Sequence, residues 1–338
     1  MNPIQLYPLR FDPFFQHRPW GGRRLADVLS IALPGEDLVG EAWILSDRAE
    51  HSSVVANGPL KGMTLGELLI QSPKQLLGDR HEALRRFPLL LKFLDVRAAL
   101  SVQVHPSDRQ TAYLPAGESG KTEAWVVLGA GQHSLVYAGL TPDTTAGLLR
   151  EALANGTVTK QLASFVPSAG DAVFIPAGTV HSLRDLVVFE VQENSNVTFR
   201  LFDWNRIDAK TSQSRSLQVA QAMACIDFTQ GAISPSVPLI EQVEPTLRER
   251  LFDCEHFELW RLSAKLPLAV GIAGAARVLV CIKGGGCLTQ QGADFPFRTG
   301  DVFLLPADVA ACVCRPDGNV ELLEISLPHC AAQPVSSP

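Results

Sequence analysis

Residues 170–181 read GDAVFIPAGTVH, and the reading of this stretch decides the fold. A Gly-Asp turn feeds the apolar run 172–175, and Pro176 with Gly178 then turns the chain. Such punctuation around a short strand is how a small β-barrel rounds a corner. His181 follows three residues after Gly178, at the start of the next expected strand, where its side chain can point into the barrel.

The corner has an echo. Residues 300–311 read GDVFLLPADVAA, so the Gly-Asp pair, the apolar run and the proline all align. Asp308 stands where the first copy has Gly178, and Ala311 where it has His181. Two barrels of one build are therefore expected, the second without its histidine. The expected fold class is mainly β with added helices, arranged as two jelly-roll barrels. The segment GAISPSVP at 231–238 is the best boundary. It divides the chain into a catalytic unit, 1–230, with N-terminal strands and helical insertions, and a degenerate barrel, 231–338.

Composition agrees with that architecture. The chain has 338 residues, enough for about two domains by the usual length prior. Its 23 prolines and 26 glycines, spread along the sequence, imply many turns and so many short strands. A net charge of −6 with no Lys/Arg run leaves no footprint for nucleic acid. An anionic substrate would have to be held by a few local cations. No apolar run reaches the roughly 18 residues of a membrane span, and the N-terminal sequence MNPIQLYPLRF lacks the pattern of a signal peptide. Seven cysteines, an odd number without a CxxC pair, fit a reducing cytoplasm better than a disulfide framework. Either a monomer or a homodimer is compatible with all of this.

Along the chain, Thr64 and Glu67 have capping-box spacing before Leu68, Leu69 and Ile70, which predicts a helix start. A second helix is expected over 73–86, a buried strand over 89–96, and further helices over 141–154 and 216–225. Residues 100–105, LSVQVH, alternate strictly, so Ser101, Gln103 and His105 share one strand face. Glu123 opens another strand. His105, Glu123 and His181, with Gln103 beside them, make an ordinary ligand set for a divalent metal, and a position left to water or substrate marks a catalytic site. Each residue also has a plainer reading: a lone strand histidine is more often a hydrogen-bonded core residue, and Glu123 could pair with Lys121. The loss of histidine from the second copy favours the metal.

The spacing of 170–181 resembles the second signature of the cupin barrels. More of the chain resembles one family. The segments LLLKFLDVRAALSVQVHPSD (89–108), GKTEAWVVL (120–128), GDAVFIPAGTVHSL (170–183) and ENSNVTFRLFDWNR (193–206) resemble type I mannose-6-phosphate isomerases, closest to the short bacterial form with two cupin-like barrels. PWGG, GEAW and VANGPLKGMTLGEL follow the family's N-terminal part in order. The resemblance covers residues 5–230 strongly and the rest weakly. It implies one divalent metal, usually zinc, held by Gln103, His105, Glu123 and His181, and a sugar phosphate as substrate. It assigns Arg200 and Lys121 to catalysis, and Lys92 and Ser101 to the phosphate or to substrate positioning. The sequence departs from the family at Ser195-Asn196, usually Ser-Asp, and at Phe199 and Phe202, commonly Tyr.

The implied reaction interconverts mannose 6-phosphate and fructose 6-phosphate through a cis-enediol. For the general base, Lys121 ranks first if burial and the metal lower its pKa. A metal-bound hydroxide is the next choice, and Glu193 or Asp203 the least favoured. Arg206 fits an anion contact or, more plainly, an ion pair with Asp203 or Asp208. Two other readings of the site stay open at this point: a different cupin enzyme such as an iron dioxygenase, and a non-catalytic sugar-binding cupin.

Overall fold

A computed structural model describes residues 4–207 and 212–328 of the chain. All of its strand pairings are antiparallel, as expected where short turns link successive strands. In the N-terminal part, nine strands join in one curled sheet. Its centre is the strand His181–Glu193, which pairs with Leu89–Val96 on one side and Glu123–Leu140 on the other. The first residue of that strand also pairs with Gln103 of Val102–Val104, which in turn pairs with Phe199–Phe202. Val39–Leu45 and Phe14–Gly22 extend the sheet beyond Leu89–Val96.

The C-terminal strands form two further sheets, of seven and four strands. One edge of the seven-stranded sheet comes from the far end of the chain: Leu9 pairs with Leu304, and Arg10 with Phe303. The opposite edge is Leu239–Gln242. One apolar core runs through both parts, with Leu9, Leu91 and Phe189 in the same cluster as Phe257, Val278 and Leu304.

The two copies of the corner superpose bond for bond. Gly170 and Gly300 both have left-handed backbone, at φ +96° and +91°, which favours glycine. Asp171 accepts the N–H of Ser168 on its carboxylate, and Asp301 accepts that of Arg298. Gly170 N–H donates to Val127 and Gly300 N–H to Cys281, each 2.8 Å, and both bonds are returned through the following Asp carbonyl. The strands Ala172–Ile175 and Val302–Leu305 follow at matching positions. What the Gly-Asp pair encodes is therefore a local turn that needs nothing from the residue at the other end of the motif.

The helices are short. Leu65–Gln71 carries the expected capping box, with Thr64 and Glu67 bonded reciprocally. The helix expected over 73–86 stops at Leu77. Gly78 ends it with φ +91°, at a place where a Cβ would stand 2.2 Å from the carbonyl oxygen of Gly274. A tertiary contact, invisible in the local pattern, thus sets the boundary. The helix expected from 141 begins at Ala146, because Thr145 supplies the N-cap. The one expected from 216 begins at Val219.

Candidate metal centre

Strand register brings the expected ligands together. Gln103 is paired directly with His181 on one neighbour and with Arg200 on the other, and paired residues of adjacent strands project to the same face. Glu123, the first residue of Glu123–Leu140, is paired with Gln192 of the central strand. His105 lies just beyond Val102–Val104, where its carbonyl accepts the N–H of Gly178. The Pro176–Gly178 turn is thereby fastened to the strand that carries Gln103.

The histidines are both buried, and each is held by its Nδ1–H: His105 donates to the carbonyl of Val197 at 2.7 Å and His181 to that of Thr179 at 3.0 Å. This fixes the tautomer and leaves both Nε2 atoms with a free lone pair near Glu123, that of His105 also 3.4 Å from the Lys121 ammonium. Glu123 Oε1 lies 3.2 Å from His181 Nε2 and 3.7 Å from His105 Nε2. The amide of Gln103 is 3.1 Å from His181 Nε2, and Ser101 Oγ donates to its other end at 3.1 Å. Turning the amide end for end would present Oε1 to the site and keep the Ser101 bond, because a hydroxyl can accept as well as donate.

These separations fit a metal. A tetrahedral zinc with bonds of about 2.0–2.1 Å has ligand–ligand edges of about 3.3–3.4 Å, and the observed spacings straddle that value. Burial, then the charge of Lys121, pushes the His105 imidazole well below its ordinary pKa; burial also lowers His181. Both are neutral, as ligands must be. The residues present suit one divalent ion.

Around the ligands lies a layer of buried charge, in which sequence reasoning found Lys92 and Lys121 but missed their partners Glu190, Gln192 and Glu41. Lys92 is paired in register with Glu190, and its ammonium donates to Glu190 at 2.9 Å and to the Gln192 side chain at 2.7 Å. Trp43 lies under it, and the Trp43 indole N–H donates to Glu41. Lys121 forms an ion pair with Glu123 at 2.7 Å and stands 3.9 Å from Glu190. Glu190 is pushed down to about 2: its own burial opposes this, and Lys92 and Lys121 outweigh it. Burial likewise opposes the charge of Lys121, but Glu123 and Glu190 more than offset it and raise its pKa. The lowered Lys121 pKa expected from sequence is thus reversed wherever Glu123 is free to pair with it. The signal was present in 187–193, VVFEVQE, where Glu190 and Gln192 alternate with apolar residues on a strand.

Curated relatives and solved structures resemble the chain along nearly its whole length. The mannose-6-phosphate isomerase ManA of Bacillus subtilis is 34% identical over 310 residues, which cover 88% of this chain and 93% of the relative. The chain belongs to the type I mannose-6-phosphate isomerase family. Residues 9–122 match the family model described as phosphomannose isomerase type I, catalytic domain. The mannose-6-phosphate isomerase of Streptococcus mutans is 30% identical, covering 94% of this chain and 97% of that one. The crystal structure of the mannose 6-phosphate isomerase from Bacillus subtilis superposes with a TM-score of 0.87 at 28% identity, over 95% of this chain and 99% of the other.

In this member of the mannose-6-phosphate isomerase family, the remaining expected residues fall as follows. Arg200 is half-buried beside the ligands, and its Nε, shielded from solvent, has no hydrogen-bond partner among the described residues. Burial, then repulsion from Arg215, lowers its pKa, the mark of a guanidinium short of an anion. Ser101 is buried against Gln103. Lys92 lies in the floor with its ammonium already engaged. Arg206 takes the plainer of its two readings and pairs with Asp203, which Arg215 also grips, while Asp208 lies outside the described residues. Glu193 accepts the Thr122 N–H, outside the ligand cluster.

Proposed function

We propose that this protein interconverts mannose 6-phosphate and fructose 6-phosphate by proton transfer through a cis-enediol, using one divalent metal ion, zinc by preference, held by Gln103, His105, Glu123 and His181. The observation that carries the reading is the buried His105, Glu123 and His181 cluster, with Glu123 Oε1 3.7 and 3.2 Å from the two Nε2 atoms, the Gln103 amide 3.1 Å from His181, and both imidazoles locked to offer Nε2. The relatives' names supply the substrate.

The reaction removes a weakly acidic proton next to a carbonyl and returns it to the neighbouring carbon. A bound metal would supply Lewis-acid polarisation of the sugar oxygens. Arg200, with a buried unpartnered Nε, supplies a fixed positive charge for the enediolate oxygen. Lys121 carries the proton between carbons. Its partner Glu123 is a ligand, and a carboxylate committed to a cation holds an ammonium less strongly, which brings the amine toward the pKa that a general base needs. Lys92 and Ser101 position the sugar. Because Glu190 and Gln192 already engage Lys92, positioning suits it better than capture of the phosphate. In this reading residues 1–230 are the catalytic unit and 231–338 a copy that keeps the corner but has Ala311 in place of the histidine.

The experiment is a coupled assay for fructose 6-phosphate formed from mannose 6-phosphate, together with metal analysis of the protein. Turnover that disappears on chelation and returns with Zn2+ is expected. A fully metal-loaded protein that does not turn over would overturn the proposal.

A further inference from the structure

We propose that Asp108, Glu193 and His256 form a second divalent-cation site, separate from the catalytic ligands and bridging the N-terminal sheet to the C-terminal strands. Three distant pieces of chain meet there. Asp108 lies in the loop after His105, Glu193 ends the central strand, and His256 sits in the turn between Thr246–Asp253 and Glu258–Ala264. One donor atom from each lies within 4.8 Å of the other two.

Several features point to a cation. Glu193 Oε1 is 3.4 Å from His256 Nδ1, matching the edge of about 3.3–3.4 Å expected of a tetrahedral transition-metal site. The other ring nitrogen, Nε2, is 3.3 Å from Glu255, so a proton held there leaves the Nδ1 lone pair facing Glu193. A carboxylate behind a histidine in this way is the usual outer support of a metal ligand. The remaining oxygen of Glu193 accepts the N–H of Thr122 at 2.6 Å, and Asp108 accepts that of Gly120 at 2.7 Å, so backbone bonds hold both carboxyls in place.

Charge is what the cluster lacks. Glu193 is 94% buried, counting from its 6% exposure, yet among the described residues no lysine or arginine pairs with it or with Asp108. Burial first, and Asp108 second, push the Glu193 carboxyl up to about 8. Two carboxyls held together with no lysine or arginine beside them are unfavourable, and a divalent ion relieves the repulsion. One imidazole and two carboxylates suit a borderline ion such as Zn2+ or Mn2+. Cys254 is nearby, but its thiol donates to the carbonyl of Phe257, so water completes the coordination.

The test is stoichiometry. Chelator-treated full-length protein is titrated with Zn2+ by calorimetry, and bound zinc is counted after desalting. Two zinc ions per chain are expected in the wild type, and one in Asp108→Asn and in His256→Gln, with unchanged circular dichroism and retained turnover. The second equivalent should raise the Tm of the wild type and not that of either variant. His181→Ala separates the two sites, because it should lose the catalytic ion and keep this one. A single zinc in the wild type, or two in both Asp108→Asn and His256→Gln, would overturn the proposal.

Discussion

Glu190→Gln tests the buried charge layer, because it removes one charge while keeping the side chain's shape. Glu190 is 4% exposed and faces two ammonium groups, Lys92 at 2.9 Å and Lys121 at 3.9 Å. Its pKa falls from an ordinary 4.5 to about 2 in the folded protein. A carboxylate depressed on folding adds stability that is complete above its unfolded pKa and is lost as the pH falls through its folded one. At about 1.4 kcal/mol per pKa unit, the drop corresponds to about 3 kcal/mol at pH 7, in line with the usual cost of breaking a buried ion pair. At pH 3 the linkage leaves only about 1 kcal/mol. Urea unfolding in chelator, followed by tryptophan fluorescence, reads the difference between wild type and variant at each pH. Equal gaps at pH 7 and pH 3, or a gap below about 1 kcal/mol at pH 7, would refute the reasoning.

Other perturbations probe the site and the fold. His181→Ala should abolish turnover and lower the bound metal while circular dichroism stays unchanged; retained catalytic metal would mean the ligand set is wrong. Arg200→Ala should keep the metal and lose most of kcat, about a hundredfold or more by analogy with other fixed transition-state charges; an effect on KM alone would make Arg200 a binding residue. Gly78→Ala should cost more than about 1 kcal/mol, since it strains a left-handed position and presses a methyl group against Gly274. A Tm within one degree of the wild type would show that the contact yields freely.

How much of this could be read beforehand depended on how local each signal is. The corner at 170–181 was legible because glycine, aspartate and proline act through their own backbones, as the matching bonds at Gly300 show. Gln103 and His105 were legible because alternation assigns strand faces. Helix 73–86 was overextended because its stop at Gly78 comes from a neighbour nearly two hundred residues away in sequence. The pairing of Lys92 with Glu190 is a matter of register, which periodicity leaves undetermined. Asp108, Glu193 and His256 share no motif at all, and only the meeting of the two parts of the chain makes them a cluster. The direction of the Lys121 shift needed the distances to two carboxylates, since burial alone argues the other way.

The pairing of Leu9 with Leu304 has a consequence for how the chain is made. On the ribosome, residues 9–10 emerge nearly three hundred residues ahead of their partner strand Val302–Leu305. Folding during synthesis proceeds from the N-terminus, so this segment can bond early to Ala56 and Asn57 through Arg10, but must wait for its strand partner. When it finally docks, it covers an edge that would otherwise be open to another chain. A nascent chain stalled before residue 302 would therefore expose an apolar N-terminal segment, and a finished chain clipped after Arg10 would expose the sheet edge at Val302–Leu305.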